Sequence, residues 1–364
     1  MLAEFFEKSA GWLQRAGLRH AAAQPLIGVD IGSSSVKLVE LSRTGRAIRL
    51  DRYRIEPLPA GAVEEGAFHD IEAIAEAIAS AWQALGTSTR ETALAIPTAM
   101  AIYKKVSIPA SDADVLEERV RNEAAGLIPF PIDEVNLDFQ VLGAAQGNLD
   151  DLEVMLCAAR RERVEERVAA VELAGLSARV VDVECFASMT ALEQIRLQMP
   201  DQGLDQTFAL FEIGASRIHC SVVRNGEQLH YRDLTFGGQQ LTRDIQRRLG
   251  VETTRSGLPG GVEAELIHPF IDTLAMEVQR ALQFFYTMVS QNRYGRIDYI
   301  LLAGGSSLLP GLDDAVALRT QISTMLANPF ATMIQGRDVA IKDLLADAPS
   351  LLVATGLALR RFDL

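Results

Sequence analysis

Apolar residues along this chain fall into two series that echo each other. Residues 26–31 are a nearly continuous apolar run that closes in Asp30-Ile31-Gly32-Ser33-Ser34-Ser35. A second apolar stretch follows over 36–41, then a turn at Gly45 and a third stretch at 47–50. Residues 208–213 repeat the theme, closing in Glu212-Ile213-Gly214-Ala215-Ser216. They are followed by 218–223, a turn at Gly226 and a stretch from Glu227 to His230. Each series predicts strand, acid-x-Gly-small-small turn, strand, turn and strand. Asp30 and Glu212 lie 182 positions apart in a chain of 364 residues. A repeat of that length predicts an α/β protein of two like domains that face each other, each offering a carboxylate and a glycine turn to the cleft between them.

The intervening pattern completes the two units. A helix is predicted over 70–85, with Ile71, Ile74, Ala75 and Ile78 on its buried side, and then a strand at 91–96 that ends at Pro97. Residues 102–177 read as an inserted α+β module. Its order is strand 103–108, helix 111–126 capped by Ser111 or Asp112, strands 136–142 and 152–158, and helix 161–174 ended by Gly175. A strand at 178–183 returns to the first domain and leads into a helix from Glu184. The first domain is therefore expected over 25–101 and 178–200, a polar hinge at 199–206, and the second domain over 205–364. In that second domain, Gly237-Gly238 leads into a helix at 239–249, and 250–263 reads as loop. A long helix at 271–291 buries Leu274, Val278, Leu282, Phe285 and Val289. Strand 299–302 then runs into Gly304-Gly305-Ser306.

Composition narrows the function classes. Charged residues make up 23% of the chain and the net charge is −13, which argues against nucleic acid as a partner. Cys157, Cys185 and Cys220 are scattered, so neither a disulfide framework nor a zinc site is indicated. No apolar run reaches the length of a membrane span, and the cytoplasm is the expected location. Residues 1–24 form a separate extension. Leu2, Phe5, Phe6, Trp12 and Leu13 share one helical face, and Lys8, Arg15 and Arg19 fall on the other. Such a helix rests on a membrane surface or a partner, packs on its own domain, or is a frayed terminus.

The repeated turns carry the chemistry. Gly and Ser between two strands leave backbone N–H groups free and let another molecule approach, which suits phosphate. A carboxylate beside each turn suits Mg²⁺ on that phosphate, since Mg²⁺ takes oxygen ligands. Two opposed acidic turns thus read as a Mg-nucleotide clamp, with Asp30 and Glu212 as the metal-facing groups. The alternative for either turn alone is an ordinary hairpin.

Asp30-x-Gly32, Glu212-x-Gly214 and Gly304-Gly305 resemble the phosphate-1, phosphate-2 and adenosine motifs of the actin-like ATPase superfamily. The inserted module sits where FtsA-like proteins carry their characteristic subdomain. Ile96-Pro97-Thr98, Ile128-Pro129-Phe130-Pro131, Val181-Asp182-Val183-Glu184, Phe236-Gly237-Gly238-Gln239 and Asn328-Pro329-Phe330 are similar to the type IV pilus assembly protein PilM family. The resemblance runs from about residue 26 to the end. It implies an actin-like fold, with ATP and Mg²⁺ held between the halves. By motif, the N–H groups around Gly32, Ser33, Ser34 and Ser35 and around Gly214, Ala215 and Ser216 cradle phosphate. Lys37 faces the outer phosphates, or is a solvated strand residue. Gly237, Gly238, Gly304, Gly305 and Ser306 line the nucleotide. Glu184 positions the attacking water, or simply places favourable charge at a helix start. The resemblance further implies a location at the inner membrane through pilus assembly proteins. The implied partners are the cytoplasmic N-terminal peptide of PilN, the platform protein and motor ATPases, and a further copy of the chain. Pro129, Phe130 and Pro131 are the candidate peptide contact, or else a buried plug.

Three departures weigh on turnover. Glu212 replaces the usual Asp, Ser306 stands where a third glycine is common, and 251–257 is too short for the expected Ala-Glu-x-x-Lys helix, with Arg255 the nearest basic residue. The second domain's small subdomain is therefore expected to be reduced. An ATP-binding scaffold with at most slow hydrolysis is the favoured function. A polymerising FtsA-like scaffold on the membrane and a small-molecule kinase are the alternatives.

Overall fold

The computed structural model describes residues 25–145, 148–249, 262–290 and 295–363. The first meander is β1 (Ile27–Ile31), β2 (Ser35–Thr44) and β3 (Ala47–Pro57), paired antiparallel with Asp30 opposite Lys37. A short hairpin of β4 (Val63–Glu64) and β5 (Ala67–Phe68) precedes α1 (Ile71–Leu85). The Asp70 carboxylate caps α1 by accepting from the Ala73 N–H at 3.0 Å, and left-handed Gly86 ends it. β6 (Glu91–Ile96) runs parallel to β1.

The inserted module follows: β7 (Ala101–Pro109), α2 (Ala113–Leu127), β8 (Val135–Ala145), β9 (Asn148–Arg160) and α3 (Arg161–Leu173). Its antiparallel sheet has the order β7-β9-β8, and Leu116, Val120, Ala124, Val154 and Leu156 form a small core of their own. Asp112 is the N-cap residue of α2, without a side-chain capping bond. β10 (Ser177–Val183) then pairs parallel with β6, and α4 (Glu184–Arg196) leads out of the first sheet.

The second half repeats the plan. β11 (Thr207–Ile213), β12 (Ile218–Arg224) and β13 (Glu227–Leu234) are an antiparallel meander. They are followed by α5 (Gln239–Leu249), α6 (Val262–Phe284), β14 (Tyr299–Ala303), α7 (Leu312–Thr320) and β15 (Ser323–Leu326). The strand order β13-β12-β11-β14-β15 matches β3-β2-β1-β6-β10 of the first sheet, each meander joined to two parallel strands. α6 starts earlier than the pattern of 271–291 indicated and carries Pro269 inside. Its buried Leu274, Val278 and Leu282 are expected ones, because they keep helical spacing against the second sheet, and Phe285 and the partly buried Val289 continue the face in the π-helical turn Phe285–Ser290.

The last segment departs from the expectation that 205–364 forms one domain. β16 (Ile334–Gln335) pairs parallel with β3 of the first sheet. Phe330, Met333, Leu344 of α8 (Ile341–Asp347) and Ala354 and Ala358 of α9 (Leu352–Leu359) share a core with Val39, Leu41 and Leu50. The physical reason lies in α9, Leu-Val-Ala-Thr-Gly-Leu-Ala-Leu, which has no polar face to give to water. It is buried on one side by β1 and β2 and on the other by α4. The amphipathic extension 1–24 and the shortened segment 251–257 lie outside the described residues.

Candidate functional site at the two repeated turns

Both glycine turns close in the same way. The Gly32 N–H donates to the Ser35 carbonyl at 3.1 Å, and the Gly214 N–H donates to the Arg217 carbonyl at 2.9 Å. The N–H groups of Ser33, Ser34, Ala215 and Ser216 donate to no protein acceptor among the described hydrogen bonds. Four free amides in two matching turns are the donor set an anion nest requires. The turns also meet: the hydroxyls of Ser33 and Ser216 lie 2.9 Å apart, from opposite halves of the chain.

The second turn is further tied to the loops expected to line a nucleotide. The Gly214 carbonyl accepts from the Gly238 N–H at 3.0 Å and from the Ser306 hydroxyl at 3.0 Å. The Ala215 carbonyl accepts from the Gln239 N–H at 2.8 Å. β14 pairs with β11 so that Ala303, just before Gly304-Gly305, lies opposite Glu212. A Cβ on Gly238 would stand 2.2 Å from the Ser306 oxygen and would force that hydroxyl off the Gly214 carbonyl. Ser306 thus fastens its loop to the second turn, a structural use of the position where a third glycine is common.

The charges of the two halves follow the repeat. On β2 the Lys37 ammonium reaches the Asp30 carboxylate at 2.8 Å, with both side chains largely buried. In the second half His219 lies opposite Glu212, as Lys37 lies opposite Asp30. Its Nδ1 is 2.6 Å from the Asp233 carboxylate and 2.9 Å from the Tyr231 hydroxyl, which itself donates to Asp233. Burial pulls the imidazole down, but the Asp233 hydrogen bond and the charges of Glu184 and Glu212 outweigh it and push its pKa up to about 9. His219 is therefore a cation at neutral pH, with Nδ1–H donating to Asp233. Burial pushes the Glu212 carboxyl up to about 7, aided by Glu184 and Asp30 and opposed by His219. The Glu184 carboxyl, at the start of α4, is raised by burial and by Asp30. His219, Arg167 and a hydrogen bond to the Thr98 backbone oppose that rise. Asp30, Glu184 and Glu212 thus act on one another across the cleft.

His219, Asp233, Tyr231 and Thr98 were not singled out as site residues in the sequence analysis. The signal for His219 was present, since the spacing that relates Asp30 to Glu212 also relates Lys37 to His219. Nothing local marks Asp233 and Tyr231, which reach the site from the neighbouring strand.

Among the described residues no three His, Cys, Asp or Glu side chains converge as a metal cage. Mg²⁺ fits the donors present only as an ion that takes most of its ligands from phosphate and water, its ordinary manner with nucleotides. Asp30 and Glu212 would then hold those waters.

Pro129, Phe130 and Pro131 occupy a different place, on the inserted module. All three are exposed, and Phe130 lies under the Arg160 guanidinium at 5.4 Å. Phe130 also lines a small, largely apolar cavity with Met100, Ile102, Ile128, Val135 and Arg160. The loop is not a buried plug, because Ile128 rather than Phe130 is the residue that enters the module core.

Comparison with known proteins agrees with this architecture. The family model for type IV pilus assembly protein PilM matches residues 28–362. A solved structure described as the PilM-PilN type IV pilus biogenesis complex superposes with a TM-score of 0.76 at 29% identity, covering 92% of this chain and 98% of that one. The ethanolamine utilization protein EutJ from Carboxydothermus hydrogenoformans superposes with a TM-score of 0.55 at 14% identity, covering 99% of each chain. A nucleotide-free diol dehydratase-reactivating factor gives 0.50 at 11% identity, covering 93% of this chain and 99% of that one. These last two share the fold alone, which is the actin-like ATPase fold. Among the described residues no helix is long and apolar enough to cross a membrane. With a family model spanning nearly its whole length and both halves of the actin-like plan in place, this chain belongs to the type IV pilus assembly protein PilM family.

Proposed function

We propose that the chain is a nucleotide-binding scaffold of type IV pilus assembly that holds the cytoplasmic N-terminal peptide of PilN. The observation that carries the nucleotide half is the pair of matching turns, which face each other across the Ser33–Ser216 contact with four amides free. Lys37 and His219 would offset phosphate charge from the two halves, and Asp30 and Glu212 would hold waters of Mg²⁺. Mg²⁺ would supply charge neutralisation of the phosphates. Glu184, whose carboxyl is raised by burial at the start of α4, is the group that would orient water, at a slow rate. The nucleotide would bridge the halves and set the angle between them, provided it binds the open and closed forms differently.

PilN as partner is supported by the 29% identical structure of a PilM-PilN complex. The exposed Phe130 is the contact we propose, since a short extended peptide binds through backbone pairing and a few apolar anchors. Placement on the cytoplasmic side of the inner membrane would follow from that contact.

Calorimetric titration of nucleotide-stripped protein with Mg-ATP, beside Asp30→Ala, tests the first half. Binding by the wild type and its loss in the variant are expected, and a folded wild type that takes no ATP refutes the clamp. Anisotropy with a labelled PilN N-terminal peptide tests the second half. Phe130→Ala should weaken binding about tenfold, the effect of losing one anchoring aromatic. Undiminished binding would place the peptide elsewhere.

A further inference from the structure

The two turns differ in the side chain that closes each of them. Ser35 closes the first turn, and the corresponding position of the second turn is Arg217. Arg217 and His219 flank Ile218, which points into the second core, so both project from the other face of the strand. The Arg217 guanidinium crosses to the first half and meets the Glu65 carboxylate at 3.2 Å. Its charge also lowers the pKa of Asp233, the partner of His219.

Glu65 is presented by a purpose-built support. It stands at the tip of the β4–β5 hairpin with φ of 49°, a left-handed conformation unusual for glutamate. The next residue, Gly66, packs against the Pro97 ring, and its carbonyl accepts from the Arg167 guanidinium. Arg167 is only 2% exposed and lies over the Phe68 ring at 4.7 Å. The hairpin is thus held by Arg167 of the inserted module at Gly66 and Phe68, and it reaches the second glycine turn through Glu65. The tip contact itself is weak, a single N–H to oxygen approach onto a carboxylate that is 74% exposed.

We infer that Arg217 is a phosphate ligand held in reserve by Glu65, and that a polyphosphate in the cleft takes the guanidinium and releases the hairpin. A guanidinium binds a phosphate through two parallel hydrogen bonds, which a lone exposed carboxylate contact does not match. Because the latch responds to the outer phosphates, Arg217 sets the preference for nucleoside triphosphate over diphosphate. This rests on the nucleotide reading above.

The test is titration of the full, nucleotide-stripped chain with Mg-ATP and Mg-ADP, together with hydrogen exchange of the amides at 63–68. Arg217→Gln should weaken ATP about tenfold or more and ADP much less, the effect of losing one charge-assisted pair. Arg217→Lys should fall between, since it keeps charge without the fork. Glu65→Gln should tighten ATP by a factor of about two to five, the worth of an exposed ion pair. That gain should vanish when Arg217→Gln is also present. ATP should speed exchange at 63–68 in the wild type and not in Arg217→Gln. If the wild type binds ATP but Arg217→Gln leaves the ATP-to-ADP ratio unchanged, or exchange at 63–68 ignores ATP, the latch is refuted and the nucleotide site stands. If the wild type binds neither nucleotide, the nucleotide reading fails and the latch with it.

Discussion

Replacing Gly356 by alanine opposes two effects of known size, and the structure decides which wins. Gly356 lies inside α9, where glycine ordinarily weakens a helix by about 0.8–1.0 kcal/mol relative to alanine. By propensity alone Gly356→Ala should stabilise the protein. A Cβ at this position, however, would stand 1.8 Å from the Ala187 carbonyl oxygen, 2.4 Å from its carbon and 2.9 Å from its Cα. All three are backbone atoms of α4, so no side chain can rotate out of the way. The helices would have to part by about 1.5 Å to restore van der Waals separation, with loss of dispersion contacts along the seam. Overpacking of this kind costs about 1–3 kcal/mol, and a collision with backbone belongs at the upper end. The net expectation is a loss of about 2 kcal/mol, centred where α4 leaves the first sheet and α9 packs back onto it. Equilibrium urea unfolding followed by circular dichroism measures it. Gly126→Ala is the control, since that glycine is helical and a Cβ there meets nothing within 4 Å. It should gain about 0.5–1 kcal/mol. A Gly356→Ala protein as stable as wild type would refute the reasoning, because it would mean that the α4–α9 seam yields freely.

Three further outcomes are expected. Gly238→Ala should destabilise through its collision with Ser306, and adding Ser306→Ala should recover part of the loss; equal stability of the single and double variants would show that the two loops are not in contact. His219, raised from 6.5 to about 9, contributes stability that is fully present below 6.5 and lost as pH climbs through 9, while ionising Glu212 between 4.5 and about 7 disfavours the folded state, so both make stability fall with rising pH. Unfolding midpoints from pH 6.5 to 9 should therefore drop less in His219→Gln than in wild type, and parallel curves would remove His219 from the account. Burial pushes the thiols of Cys157, Cys185 and Cys220 up to about 12, which leaves about one in ten thousand ionised at pH 8, so iodoacetamide should label them only after unfolding; rapid labelling of the native protein would contradict that burial.

Much of the candidate site is legible because it is local. The turn at Asp30 to Ser35 and its counterpart at Glu212 to Ser216 are each written within six consecutive residues, and strand alternation then fixes which side chains face the cleft. The inserted module shows itself the same way, through helical and strand periods bounded by Gly175 and the Pro129–Pro131 loop. The pairs that give the site its electrostatics are not local. His219 meets Asp233 only because β13 lies beside β12 in one register, and Arg217 meets Glu65 only because the halves close on each other.

What the amino-acid order determined by itself is therefore the duplicated meander, its acidic glycine turns and the helices near 70–85, 111–126, 161–174, 184–196, 239–249 and 271–284, since each depends on the period of side chains along one element; α8 and α9 were not among them. What only the tertiary structure decided is where distant pieces dock. The run Leu352–Leu359 follows the second half in sequence, yet it is buried against β1, β2 and α4 of the first. An element that is apolar all round must be covered on both sides, and its composition states that need without naming the surfaces that meet it. The fit of Gly356 against Ala187 and of Gly28 against Ala354, each with no room for a Cβ, is what selects them.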